Sequence, residues 1–195
     1  MYTYPLNFRF AILNVGDRIT ITDGNDQTLA EAQQKALQIK EEISIYDSES
    51  RDHLLYKIRT DQVLDFSGSY SITDAEDRTM GSVVRHGMRS LWRASYEIKD
   101  RTDNVIGRTT ERNPVVKLVD GLLGEIPYAE FVMGYFLNPK YDIDMEDGRQ
   151  ACIVKRRSFL EGRFTLESEN NFSSEEEQVL LPAVVMMLIL ERERG

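Results

Sequence analysis

Of cysteine and tryptophan the 195 residues hold one each, and of histidine two, and each scarcity closes a class of chemistry. The lone thiol, Cys152, forms no intramolecular disulfide and belongs to no redox motif. His53 and His86 stand far apart with no cysteine beside them, so zinc-ligand spacing is missing and metal catalysis is not expected. Positive charge is also short: 24 Lys and Arg against 33 Asp and Glu leave a formal net charge of -9. Averaged over its surface such a chain repels nucleic acid and anionic membrane, so either partner would need a local basic patch. Neither G-x-S-x-G nor G-x-G-x-x-G nor a P-loop occurs, and no nucleophile, base and orienting group can be assembled. No catalytic residue, cofactor or metal is therefore assigned, and nucleic acid is not an expected partner. Met1 to Val15 has no charged stretch followed by an unbroken apolar run and a small-residue cleavage site, so no signal peptide is expected. With the single cysteine, that points to a cytoplasmic location.

What the chain does carry is a globular composition, 41% hydrophobic and 29% charged, over a length that suits one domain spanning 1–195 and burying roughly 70% of its unfolded surface. An internal repeat of about 51 residues organises it. Ile21-Thr22-Asp23-x-x-Asp26-x-Thr28-Leu29-Ala30 aligns with Ile72-Thr73-Asp74-x-x-Asp77-x-Thr79-Met80-Gly81, and after a slip Ile43-x-Ile45-x-Asp47 aligns with Tyr96-x-Ile98-x-Asp100. A weaker third copy starts near Tyr141, with Asp144 to Gly148 as its turn. The copies lie near 19–60, 70–112 and 141–167. Each reads as strands joined by Asp, Asn and Gly turns, residues that tolerate left-handed backbone and bond their own amides. Leu29 to Ile43 favours helix on propensity, but equivalent units should fold alike, so strands are expected there too.

In the second copy Met88, Trp92, Ala94, Tyr96 and Ile98 share one parity and Arg85, Arg89, Arg93 and Lys99 the other, the pattern of a half-buried sheet. His86 falls on the core parity. Between the second and third copies, Asn113 to Pro139 is more continuously apolar, and a short helical insertion is expected over 114–137. The last segment opens with Ser173-Ser174-Glu175-Glu176-Glu177, where Ser174 and Glu177 have capping-box spacing, and predicts a helix over 174–194. Val179 to Leu190 is apolar all round and too short to cross a hydrocarbon core, so no transmembrane span is expected. Leu180, Leu181, Val184, Val185, Leu188 and Ile189 are its expected core face, and Pro182 either kinks it or marks its first turn.

Three groups of residues invite chemistry. Arg85, Arg89 and Arg93 form a cationic stripe suited to phosphate by bidentate hydrogen bonds, and Lys155-Arg156-Arg157, close to Arg163, forms a second. The plainer reading of both is a solvated sheet face balanced by neighbouring acids. Asp142 to Gly148 has the outline of a calcium loop, but Asp147 stands where glycine is needed and Ile153 where a bidentate Glu is needed, so a hairpin is expected. Cys152, within Ala151-Cys152-Ile153-Val154, is expected to be a buried, inert thiol.

The chain resembles the LURP-one-related proteins, with phospholipid scramblases and the tubby C-terminal domain as more distant kin. The resemblance runs from Tyr4-Pro5-Leu6 through Gly87-Met88-Arg89-Ser90-Leu91-Trp92-Arg93-Ala94 and Asp120-Gly121-Leu122-Leu123-Gly124-Glu125-Ile126-Pro127 to Leu160-Glu161-Gly162-Arg163-Phe164. It implies a mainly β fold: a closed antiparallel barrel of about 12 strands around a buried hydrophobic C-terminal helix. The Pro-rich N-terminal region and acylated cysteine cluster of scramblases are missing, and Glu167 to Phe172 is a poor match to their calcium segment, so lipid scrambling does not carry over. The function implied is that of a noncatalytic binding or scaffold module with a protein or phospholipid head group as partner. Peripheral binding of anionic, phosphoinositide-like lipid is the alternative, and a small enzyme whose pocket the sequence does not reveal is the third.

Overall fold

The computed structural model describes residues 1–11, 18–34, 42–47, 52–64, 67–86, 95–111, 140–156 and 162–194. Its strands are β1 (Leu6–Phe10), β2 (Arg18–Thr22), β3 (Thr28–Gln34), β4 (Glu42–Tyr46), β5 (Leu54–Leu64), β6 (Ser67–Asp74), β7 (Thr79–His86), β8 (Ser95–Asp100), β9 (Val105–Glu111), β10 (Lys140–Met145), β11 (Gln150–Arg156) and β12 (Arg163–Ser168), followed by helix α1 (Ser174–Arg194). Each strand pairs antiparallel with its neighbours in sequence, and β1 closes the ring against β12, with Leu6 opposite Leu166 and Arg9 opposite Arg163. The expected closed antiparallel barrel with its C-terminal helix is the observed architecture. The expected helical insertion over 114–137 lies outside the described residues.

The tight turns gather at the mouth of the barrel where α1 begins, and three of them are built alike. Asp23, Asp74 and Asp100 each accept two backbone N–H groups on Oδ1, from Asn25 and Gln27, from Glu76 and Arg78, and from Thr102 and Asn104, at 2.8–3.0 Å. The residue three further on, Asp26, Asp77 or Asp103, sits at φ 60–65°, a conformation Asp tolerates better than most side chains. The β10–β11 turn has the same backbone bonds, Met145 N–H to Arg149 O and Gly148 N–H to Met145 O, but Met145 brings no carboxylate and glycine takes the left-handed place at φ 87°. Asp142 to Gly148 is thus a hairpin, as expected.

Strand β3 forms through Thr-Leu-Ala-Glu-Ala-Gln-Gln against its helix propensity, because Ala30 and Ala32 lie opposite Ile21 and Ile19 of β2 and are buried in the barrel interior. Pairing on both edges outweighs a propensity difference of a few tenths of a kcal/mol per residue.

The helix is the core. Every residue from Val179 to Leu190 is buried, among them Leu180, Leu181, Val184, Val185, Leu188 and Ile189, each at 0–1% exposure. Its neighbours lie all round the wall: Gly81 of β7 at Val179, Thr109 of β9 at Met187, Tyr96 of β8 and Tyr141 of β10 at Glu191, and Phe10 of β1 under Arg192. The helix runs unbroken from Ser174 through Pro182, so that proline does not mark its first turn. The cap lies one residue before the expected Ser174 and Glu177. Ser173 N–H donates to Glu176 Oε2 at 2.7 Å and Glu176 N–H to Ser173 Oγ at 3.2 Å. Glu177 is instead buried and accepts the Tyr2 N–H at 2.9 Å, tying the strand-leading segment to the helix. Among the described residues no helix is long and apolar enough to cross a membrane.

Candidate functional site

With the interior occupied by α1, the side chains open to a ligand are those of the outer wall and the rims. Two phase expectations change there. Arg85 lies opposite Tyr96 and one pleat beyond Val83, so it shares the inward parity of two fully buried residues and sits half-buried at the rim. His86, expected on the core parity, is on the outer face, paired with Glu97 at 3.1 Å and 53% exposed. The reason is physical: β7 ends at His86 and β8 begins at Ser95, and each strand takes its own phase from its own pairing rather than continuing a parity counted through the connection. Arg89 and Arg93 lie outside the described residues, so the stripe proposed for them is represented by Arg85 alone.

The second basic run also divides. Ala151, Ile153 and Lys155 share the inward parity of β11, with Lys155 opposite Phe164 at the rim, whereas Cys152, Val154 and Arg156 face out. Cys152 is accordingly half-buried on the outer wall between Asp142 and Glu167, not in the core, because Ala151 and Ile153 hold the inward positions. Arg157 lies outside the described residues.

The outer wall places Arg156 where the sequence gives no hint of its company. Arg156 is directly opposite Arg163 on β12, Arg163 is opposite Arg9 on β1, and Arg9 is opposite Thr20 on β2. Three arginines thus stand side by side on consecutive strands, along one row perpendicular to the barrel wall's strands. The next outer row carries no charge, with Val154, Thr165, Asn7 and Thr22 in register. The three arginines with Asn7, Thr22 and Thr165 line a groove of about 630 Å³ that Thr28 and Asp26 complete at the turn end. Its lining carries three arginines against one aspartate on a chain whose net charge is -9.

The groove floor is hydrogen-bonded across three strands. Arg156 Nε donates to Thr165 Oγ1 at 2.9 Å, Thr165 Oγ1 donates to Asn7 Oδ1 at 3.4 Å, and Asn7 Nδ2 donates to the Asp23 carbonyl at 3.4 Å. Arg156 also donates to Glu167 Oε1 at 2.5 Å. Thr165 is 2% exposed despite its outward parity, because Arg156 and Asn7 lie over it. Sequence reading placed Arg156 near Arg163 but missed Arg9 and the row, since the signal is register and register is not printed in any one segment.

Other carboxylates near the rims are committed to structure. His86 and Arg108 hydrogen bonds hold the Glu97 carboxyl below its ordinary range. Burial works to raise Glu176, but the Arg149 guanidinium and the Ser173 cap outweigh it and hold that carboxyl low. Tyr2 and Tyr4 are pushed well above the ordinary phenol value, first by burial and then by nearby acidic groups. They are neutral packing groups, with Tyr4 edge-on to Phe172 at 5.8 Å. Set against known proteins, the chain matches no family model, no curated protein and no solved structure.

Proposed function

We propose that this chain is a noncatalytic binding or scaffold module of the LURP-one-related, tubby-like type that presents its recognition chemistry on the outer wall of the barrel. The observation that carries this reading is the helix: with Val179 to Leu190 buried on every side, the barrel axis holds protein, and a ligand must meet the outside. A small molecule held inside a barrel of this kind would need the space that these side chains fill.

A second reading, peripheral binding to anionic lipid, is favoured by the Arg9, Arg156 and Arg163 row, a local reversal of charge on an acidic protein. Cosedimentation with neutral and with anionic vesicles at low and moderate salt tests the pair. Binding to neither kind of vesicle, together with capture of the same protein partner by wild type and by an Arg9→Ala variant, supports the scaffold reading. Salt-weakened binding to anionic vesicles alone replaces it with the lipid reading.

A further inference from the structure

The segment 1–5 runs ahead of β1, whose pairing starts with Leu6 opposite Leu166 and Asn7 opposite Thr22. It can therefore leave the barrel without breaking a strand pair. The segment lies across the mouth where α1 begins. Thr3 O accepts the Gly24 N–H of the β2–β3 turn at 2.9 Å, and Tyr2 N–H donates to Glu177 Oε1 at 2.9 Å. Tyr2 and Tyr56 of β5 share a side-chain hydrogen bond, and Tyr4 packs edge-on to Phe172 at 5.8 Å. We propose that this segment is a strap that unlatches from the mouth as a unit of its own while the ring and the helix stay in place, with Glu177 as its latch.

Three features set the strap apart from the wall. Its hold is local, a few contacts at one rim, whereas every strand is bonded along both edges; segments held in this way open far more often than the core does. Its seat is close: a Cβ on Gly24 would stand 2.8 Å from the Tyr4 carbonyl oxygen and 3.2 Å from Pro5 Cδ, so the strap rests directly on the backbone of the turn.

The third feature is that the latch tolerates both states. Glu177 is 4% exposed, where an unpaired charge is costly, yet the segment packed against it also brings its N–H donor. With the strap shut the carboxylate is paired; with the strap away water replaces that donor, and the charge still faces the favourable end of the helix dipole. Opening also uncovers the side of Phe172 that Tyr4 covers, on a ring 0% exposed in the shut state. The mouth thus presents a different surface in each state, and the fold beneath it is the same in both.

The test is native-state hydrogen exchange of the 15N-labelled full chain in increasing urea, read at Gly24 for the strap, Asp23 for the turn, and Ile72 and Ile98 for the wall. Asp23 N–H bonds within its own turn, to Gln27 O at 3.0 Å, so it separates strap opening from fraying of the turn. The expected result is that Gly24 opens at least about a hundredfold more often than Ile72 and Ile98, with little dependence on urea, while Asp23 stays protected. Glu177→Gln fills the same space with a neutral acceptor and should raise Gly24 opening about tenfold, with exchange at Ile72 and Ile98 unchanged. Gly24→Ala, which pushes against Tyr4, should abolish the Tyr4–Phe172 ring contact in nuclear Overhauser spectra and leave the same wall amides protected. Glu175→Gln, an exposed acid in the same helical turn, should change nothing at Gly24. Gly24 opening only together with Ile72 and Ile98 would overturn the proposal by making the segment part of the barrel. Asp23 opening together with Gly24 would overturn it by making the event a frayed turn, and an equal effect of Glu175→Gln would remove Glu177 as the latch.

Discussion

The inner and outer walls of this barrel are made from the same strands and obey different rules. Inward positions are mostly apolar and vary in size: Ala30 and Ala32 lie opposite Ile21 and Ile19, Gly81 lies against Val179 of the helix, and Ile and Phe fill most of the rest. Outward positions are polar and settle their charges across strands, as Arg59 does with Glu42 at 3.0 Å and Arg18 with Glu31 at 2.6 Å. The difference separates two problems that many folds solve together. Stability is decided inside, where substitution changes volume or leaves charge unpaired. Recognition is free to be written outside, where one residue changes little but a row of three changes the local field.

The comparison is broken most severely by Leu188→Glu. It places a charge on a helix residue 1% exposed and enclosed by apolar wall, costs several kcal/mol, and leaves insoluble or unfolded chain by size exclusion and circular dichroism. Gly81→Ala comes next. Its Cβ would stand 2.3 Å from the Lys99 carbonyl oxygen and 2.9 Å from Val179 Cγ1, so backbone must move, and a loss of about 3 kcal/mol is expected in urea unfolding.

At the rim, where the walls meet, Tyr96→Phe removes the hydroxyl that donates to Glu191 Oε1 at 3.0 Å. Tyr141 still donates to the other oxygen at 2.9 Å, so the expected loss is about 1–2 kcal/mol, read from the same unfolding curves. Acid then probes the rim carboxylates. Glu97 and Glu176 have folded values below their unfolded ones, so their contribution is complete above the unfolded carboxylate value and disappears as pH falls through the lower folded value. The melting temperature should therefore hold steady down to about pH 4.5 and drop below it, and Arg149→Ala should shrink the drop. The smallest effect is Arg59→Ala, an ion pair with Arg59 44% exposed, expected to change stability by at most about 0.5 kcal/mol after solvent screening.

How much of this was legible in the sequence follows the same division. The helix was visible because Val179 to Leu190 is a continuous local run, and the hairpins because Asp-x-x-Asp spacing states a turn within five residues. Strand β3 was found against its own propensity by alignment of Ala30 with Gly81. The cap was misplaced by one residue because Ser173 and Ser174 are followed by three glutamates, which fit the box in either frame, and only the burial of Glu177 against Tyr2 selects between them. Arg85 and His86 were assigned to the wrong faces because parity was carried through a connection. The arginine row was invisible for a deeper reason. Arg9, Arg156 and Arg163 come from the beginning and the end of the strand order, and the seam between β1 and β12 is what makes them neighbours.

That seam governs more than the groove. Strands first and last in order must meet, and the helix that fills the space between them follows all twelve along the chain. No shorter run of strands has both a partner on each side and a filled interior, so partial structures gain little of the energy of the whole, and the one long loop closure, β1 against β12, is met only when the ring forms. The barrel is therefore a single cooperative unit, in which wall and axis stand or fall together and the arginine row exists only once the ring is shut.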